Sequence, residues 1–170
     1  FTSDHGESLG EEGRYGHLST LFEEQVRIPL VVRYPAGIDA PATSDAIVSL
    51  VDLFPTIVRS LGAEAPELDL DGRALPAAGD RPIFFRLGTM RPKGETVHAC
   101  RLGRWNLFDG GGVPTRLYDL VHDPAERDDR AAAYPDLVDA MRSRIDLERS
   151  RGRGSDRRTI DDIGLRRLME

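Results

Sequence analysis

TVHACRLGRWNLFDGGGVPTRLYDL, residues 96–120, is the stretch that decides the architecture of the second half of this chain. Three short strand-like runs, 96–102, 104–108 and 115–120, are separated by glycine turns, including Gly110-Gly111-Gly112. Close spacing and tight turns predict an antiparallel meander, which a fourth run at 82–87 joins. C-terminal to it, 135–149 reads as a helix: Leu137, Val138, Met141, Ile145 and Glu148 recur at helical steps and lay one stripe on the sheet. The Arg-rich segment 149–158 reads as an exposed loop, and Thr159-Ile-Asp-Asp162 as a capping box opening a last helix.

N-terminal to the meander, 63–80 is rich in Pro and Gly and reads as a linker over the surface, placing a boundary near residue 80. Residues 47–61 have a helical pattern, with Asp52 as N-cap, Pro55 in the first turn, Leu53, Ile57, Val58 and Leu61 on one face, and Gly62 as the stop. The run 28–34, IPLVVRY, reads as a buried strand with Pro29 near its start. A short helix is predicted over 18–25 and a surface loop over 11–17, and residues 1–10 read as a strand tail entering a loop.

At 170 residues, with 39% apolar and 31% charged positions, the chain is globular in composition. Its net charge of −6 argues against nucleic acid as the main partner, since phosphate binding needs a basic face. Lys93 is the single lysine among 23 basic residues, which reads as a base-composition bias with no function attached. One cysteine allows neither an internal disulfide nor a Cys-rich zinc site. No apolar run approaches the ~20 residues of a membrane span, and no signal-peptide pattern opens the sequence. The chain begins at Phe1, inside what reads as a site motif, so a piece of a longer protein is expected.

That motif is the strongest chemical constellation. Asp4 and His5 are adjacent, Gly6 lets the backbone turn away, and His17 follows beyond a loop that can fold back. In a loop, a carboxylate and an imidazole can turn onto one cation; the carboxylate suits hard dications and the imidazole favours Mn, Zn or Fe over Ca. The structural alternative is that Asp4 caps a turn and His5 is a packed side chain. His17 could offer a donor to an anion or a proton to a leaving group.

FTSDHGESLGEEG (1–13), YGH (15–17) and LFEEQVRIPLVVR (21–33) together resemble the sulfatase family of the alkaline phosphatase superfamily. VDLFPTIV (51–58) with Gly62, DGRAL (71–75) and LYDLVHDPAE (117–126) resemble further family motifs in the same order. The resemblance implies an α/β fold: residues 1–80 as the C-terminal part of an alkaline-phosphatase-like α/β domain, and 81–170 as a smaller subdomain of antiparallel sheet plus helix. It implies hydrolysis of a small-molecule or glycan sulfate ester on a divalent cation, Ca²⁺ first and Mn²⁺ as the alternative. Asp4 and His5 match the family's later pair of metal ligands. His17 matches the Lys or His that contacts the sulfate oxygens and is the catalytic candidate. If it makes that contact, activity should fall as its imidazole loses its proton. The nucleophile, a formylglycine made in a C/S-x-P-x-R motif, would lie upstream with the first two metal aspartates. The chain alone is therefore expected to be inactive, for want of the N-terminal half.

Cys100-Arg-Leu-Gly-Arg104 has Cys and Arg at the nucleophile motif's separation but Leu102 where Pro is required, so Cys100 reads as a buried structural thiol. Glu7, Glu11 and Glu12 read as solvated, Glu24 and Arg27 as a surface pair, His98 and His122 as structural, and Trp105 as sheet packing. Asn106 stands where the family often has Lys. Arg86, Arg91 and Lys93 lie in a loop that could face substrate. Two rival functions remain at the level of sequence: a phosphonate or phosphodiester hydrolase of the same superfamily, and a non-catalytic interaction module.

Overall fold

The computed structural model describes residues 1–17, 20–63, 70–76, 81–88 and 96–154, with side chains through residue 151. The expected final helix, the loop carrying Arg91 and Lys93, and much of the linker lie outside the described residues.

The second half folds as its alternation dictates. Strands β3 (Ile83–Gly88), β4 (Thr96–Leu102), β5 (Trp105–Gly110) and β6 (Arg116–Asp119) form an antiparallel sheet in sequence order. Leu102 pairs with Trp105, so two residues make the β4–β5 turn, while β5 leaves through the triple glycine. Register places Cys100, Leu107 and Leu117 side by side on one face. Helix α3 (Pro135–Gly154) covers that face with Val138, Met141 and Ile145. Each of these three side chains, once buried, contributes roughly 1.5–3 kcal/mol. The helix runs past the expected end at 149, because Arg is a good helix former and Arg149 pairs with Asp146 at 3.2 Å on the exposed side. The segment to Gly154 is thus helix and not loop.

The opposite face carries Ala99, Phe108 and Tyr118, and it is covered by the first half of the chain. Leu21 is buried there, and the Phe22 ring lies 5.1 Å from Phe108 and 6.0 Å from Tyr118. This docking sets where the N-terminal segment sits. Within that segment β1 (Ser8–Leu9) and β2 (Tyr15–Gly16) make a small hairpin, where a loop was predicted. A 3₁₀ turn, Glu11–Gly13, closes it. Helix α1 covers only Glu23–Val26.

Two expectations need correction. The run 28–34 is extended but forms only an isolated bridge, Thr2 to Leu30, and Val31 and Val32 are exposed. Its apolar pattern fits a strand, but a strand is defined by its pairing, and among the described residues only Phe1 and Thr2 pair with it. Helix 47–61 is also shorter than predicted: a 3₁₀ turn, Leu50–Asp52, leads into α2 (Leu53–Ser60). Asp52 stands at the N-cap position of α2 as predicted, and the 3₁₀ turn before it is capped by Ser49, whose N–H the Asp52 carboxylate accepts at 2.9 Å. Pro55 and Thr56 are the buried side of α2, whereas Ile57 and Leu61 of the expected face are 58% and 77% exposed. The helix stops at Gly62 as predicted, with Ala63 N–H bonded to the Val58 carbonyl at 3.2 Å.

Candidate active site

The candidate site is built on the segment from Asp4 to His17 and on α1 behind it. Gly6 donates its N–H to the Gln25 carbonyl at 2.8 Å, and an ideal Cβ at Gly6 would lie 2.1 Å from the Glu24 carbonyl oxygen. Only glycine fits so close an approach. Ser8, buried in the hairpin, accepts from Gln25 Nε2 at 2.8 Å, and the same amide reaches the Gly16 carbonyl at 3.4 Å. Arg14 bonds Glu24 at 3.0 Å and lies 4.4 Å over the Phe22 ring. Glu24 therefore pairs with Arg14 and not with Arg27, because the hairpin delivers Arg14 to the inner side of α1.

On this base the exposed side chains converge. His5 Nδ1 lies 2.7 Å from the Gly6 carbonyl oxygen. A carbonyl only accepts, so this contact puts the ring proton on Nδ1 and leaves the Nε2 lone pair free. Nε2 stands 3.8 Å from Asp4 Oδ2. One neutral ring nitrogen and one carboxylate oxygen at that separation suit adjacent positions around a dication with bonds of about 2.0–2.6 Å. The His17 ring stacks against His5, centroids 4.4 Å apart and planes tilted by 35°. His17 Nδ1 faces both oxygens of Glu7, at 3.1 and 3.3 Å.

The fold thus brings Asp4, His5 and His17 together and adds Glu7, which is not the free, solvated carboxylate that its sequence context predicts. Donor atoms of His5, Glu7 and His17 all lie within 4.8 Å of one another. Register was the signal that could have found Glu7. Ser8 opposes Gly16, so the next pair outward is Glu7 with His17. Glu11 instead bonds the Leu9 N–H at 2.6 Å, and backbone donors hold its carboxyl below the usual carboxylate range.

A chain of contacts ties this segment to the second half. The buried Glu126 carboxylate, in the LYDLVHDPAE turn, accepts the Glu23 N–H and Asn106 Nδ2, each at 2.7 Å. Burial, aided by the charges of Glu23 and Glu24, pushes this carboxyl up to about 7. Asn106 is fully buried. The remaining candidates stand apart from the site. Cys100 is buried in the core under α3, and burial pushes its thiol up to about 11, which makes it an inert thiol. His98 sits on β4 between Arg86 and Asp109 in register; burial first, then Arg149 and Arg86, hold its imidazole below the usual range. His122 bonds Asp119 at 2.9 Å, and Trp105 packs on Tyr134 with centroids 4.9 Å apart.

Comparison with known proteins covers the same segment. The family model described as Sulfatase matches residues 1–63, the segment that carries Asp4, His5, Glu7 and His17. Arylsulfatase K of Canis lupus familiaris is 29% identical over 161 residues, 85% of this chain and 30% of the relative. N-acetylglucosamine-6-O-sulfatase of Bacteroides thetaiotaomicron is 43% identical over 75 residues, 44% of this chain and 13% of the relative. A structure solved in complex with its substrate, D-glucosamine-2-N,6-O-disulfate, aligns with a TM-score of 0.73 at 25% identity, over 91% of this chain and 34% of that one. The chain spans about 30% of the length of the arylsulfatase K sequence it matches.

Proposed function

We propose that this chain, which belongs to the sulfatase family of the alkaline phosphatase superfamily, supplies one part of a sulfate-ester hydrolase site. In this reading residues 1–80 complete the catalytic α/β domain, and 81–170 form a smaller subdomain. Asp4 and His5 hold a divalent cation, Ca²⁺ before Mn²⁺, and His17 contacts the ester. The observation that carries the reading is the 3.8 Å approach of His5 Nε2 to Asp4 Oδ2 with the His17 ring stacked 4.4 Å behind it, within the matched segment.

Hydrolysis of a sulfate monoester breaks the S–O bond, and the leaving alkoxide needs charge neutralised and a proton supplied. A bound dication acts as a Lewis acid on the sulfate oxygens and orients the ester. Asp4 and His5 fix the position of positive charge. As an imidazolium, His17 donates Nε2–H to a sulfate oxygen or to the departing oxygen, an electrostatic contribution of the kind that dominates many sites. No C/S-x-P-x-R motif occurs in these 170 residues, so the formylglycine nucleophile is assigned to another part of the protein. The substrate class is a sulfated small molecule or glycan.

The test uses the whole protein. Asp4→Ala and His5→Ala should each lower bound metal and reduce aryl sulfate turnover by at least tenfold, relieved by excess cation. Full metal content in both variants contradicts the ligand assignment. Turnover of an aryl phosphodiester or phosphonate above that of the aryl sulfate moves the substrate to the rival class.

A further inference from the structure

We infer that Glu7 is a positioning residue for His17: its carboxylate accepts the Nδ1–H of the ring and presents the opposite nitrogen, Nε2, to the ester. This rests on the reading of His17 as the ester contact and extends it to a residue that no motif assigns.

Three independent features converge on the pair. The first is register. β1 and β2 pair Ser8 with Gly16 and Leu9 with Tyr15, so Glu7 and His17 are the next residues facing each other across the ladder. Directly opposed side chains in an antiparallel pair stand close enough to bond without stretching. The second is geometry. Nδ1 lies 3.1 and 3.3 Å from the two carboxylate oxygens, and among the described residues no hydrogen bond engages Nε2. A carboxylate accepts only, which fixes the proton on Nδ1. The third is the other wall. The His5 ring lies 4.4 Å from the His17 ring, so the imidazole is held on one face by a ring and at one edge by a carboxylate.

The hairpin that sets this register is itself anchored. Ser8 and the Gly16 carbonyl both take hydrogen bonds from the buried Gln25 amide. Arg14 is bound to Glu24. A surface ion pair between mobile side chains would be worth little. Here the backbone on both sides is fixed, and the carboxylate decides which ring nitrogen is free. A partner carboxylate of this kind, orienting an imidazole through its remote nitrogen, typically changes activity by about 10–100-fold when removed.

The experiment compares Glu7→Ala, Glu7→Gln, His17→Ala and the double variant Glu7→Ala/His17→Ala in the whole protein. Turnover of an aryl sulfate, metal content and ring ¹⁵N shifts are measured. Positioning predicts that Glu7→Ala lowers kcat about 10–100-fold with KM nearly unchanged and metal content equal to the parent. Glu7→Gln keeps an oxygen for Nδ1–H and recovers most of kcat. The double variant is no slower than His17→Ala. The Nδ1 shift of His17 reports a hydrogen bond to a carboxylate in the parent and loses it in Glu7→Ala. Full activity in Glu7→Ala with loss in His17→Ala overturns the positioning role and leaves the His17 reading standing. Full activity in His17→Ala overturns both. Loss of metal in Glu7→Ala makes Glu7 a ligand and also overturns it.

Discussion

Gly72 has no room for a side chain: an ideal Cβ would lie 1.9 Å from the Val51 carbonyl oxygen. The close approach serves Asp52, whose buried carboxylate accepts the Ser49 N–H at 2.9 Å and the Arg73 N–H at 2.8 Å, and meets the Arg81 guanidinium. Thr56 adds a bond from its Oγ1 to the Asp52 carbonyl and accepts the Leu75 N–H at 2.9 Å. Gly72→Ala must push the 71–75 turn off α2 and should cost about 1–3 kcal/mol, the usual cost of overpacking. The urea midpoint of the whole protein should drop at constant slope, and an unchanged midpoint contradicts the tight fit. At this scale the sequence shows residue types better than partners. Asp4 and His5 can be proposed as a pair from sequence because they are contiguous. The contact of Glu7 with His17 cannot, because the two lie ten positions apart and only the hairpin register joins them. Asp52 was legible as a cap, but its role depends on Ser49 and on a turn some twenty residues later.

Elements whose partners are local were read well. The four strands and α3 follow from alternation, glycine turns and a helical stripe, all within neighbouring segments. Elements that depend on distant partners were not: 28–34 has the composition of a strand but little to pair with, and α2 leaves apolar residues of its stripe exposed. Between the two halves the 119–126 turn acts as a clasp, through the Glu126 bonds to α1 and β5. Its carboxyl ionises near 4.5 when free and at about 7 in the fold, raised mainly by burial. Between those values the folded state binds the extra proton, so this group's contribution falls as pH rises through the window, by about 1.4 kcal/mol per unit of difference. Glu126→Gln, which keeps the shape without the charge, should leave stability near the parent's at pH 4.5 and raise it above the parent's at pH 8. Parallel stability curves for the two proteins contradict a buried carboxyl with a raised ionisation point.

For the molecule as a whole, the candidate site residues lie in one segment, residues 4–17, which is seated on the sheet. Phe22 and Leu21 dock that segment on the sheet, Glu126 clasps α1, and α1 in turn holds Gly6, Ser8 and Arg14. Phe54, Ile57 and Leu61 of α2 remain exposed in a chain that spans about 30% of its arylsulfatase K relative, and we expect the rest of the protein to cover them. Two donor sets compete for the cation: Asp4 with His5, or the His5, Glu7 and His17 cluster. Anomalous diffraction from crystals of the whole protein grown with Mn²⁺ separates them directly. The expected peak is bonded to an Asp4 carboxylate oxygen and to His5 Nε2, with His17 outside the shell and its Nδ1 still on Glu7. A peak bonded to Glu7 and His17, or a shell without Asp4 and His5, contradicts the assignment to Asp4 and His5.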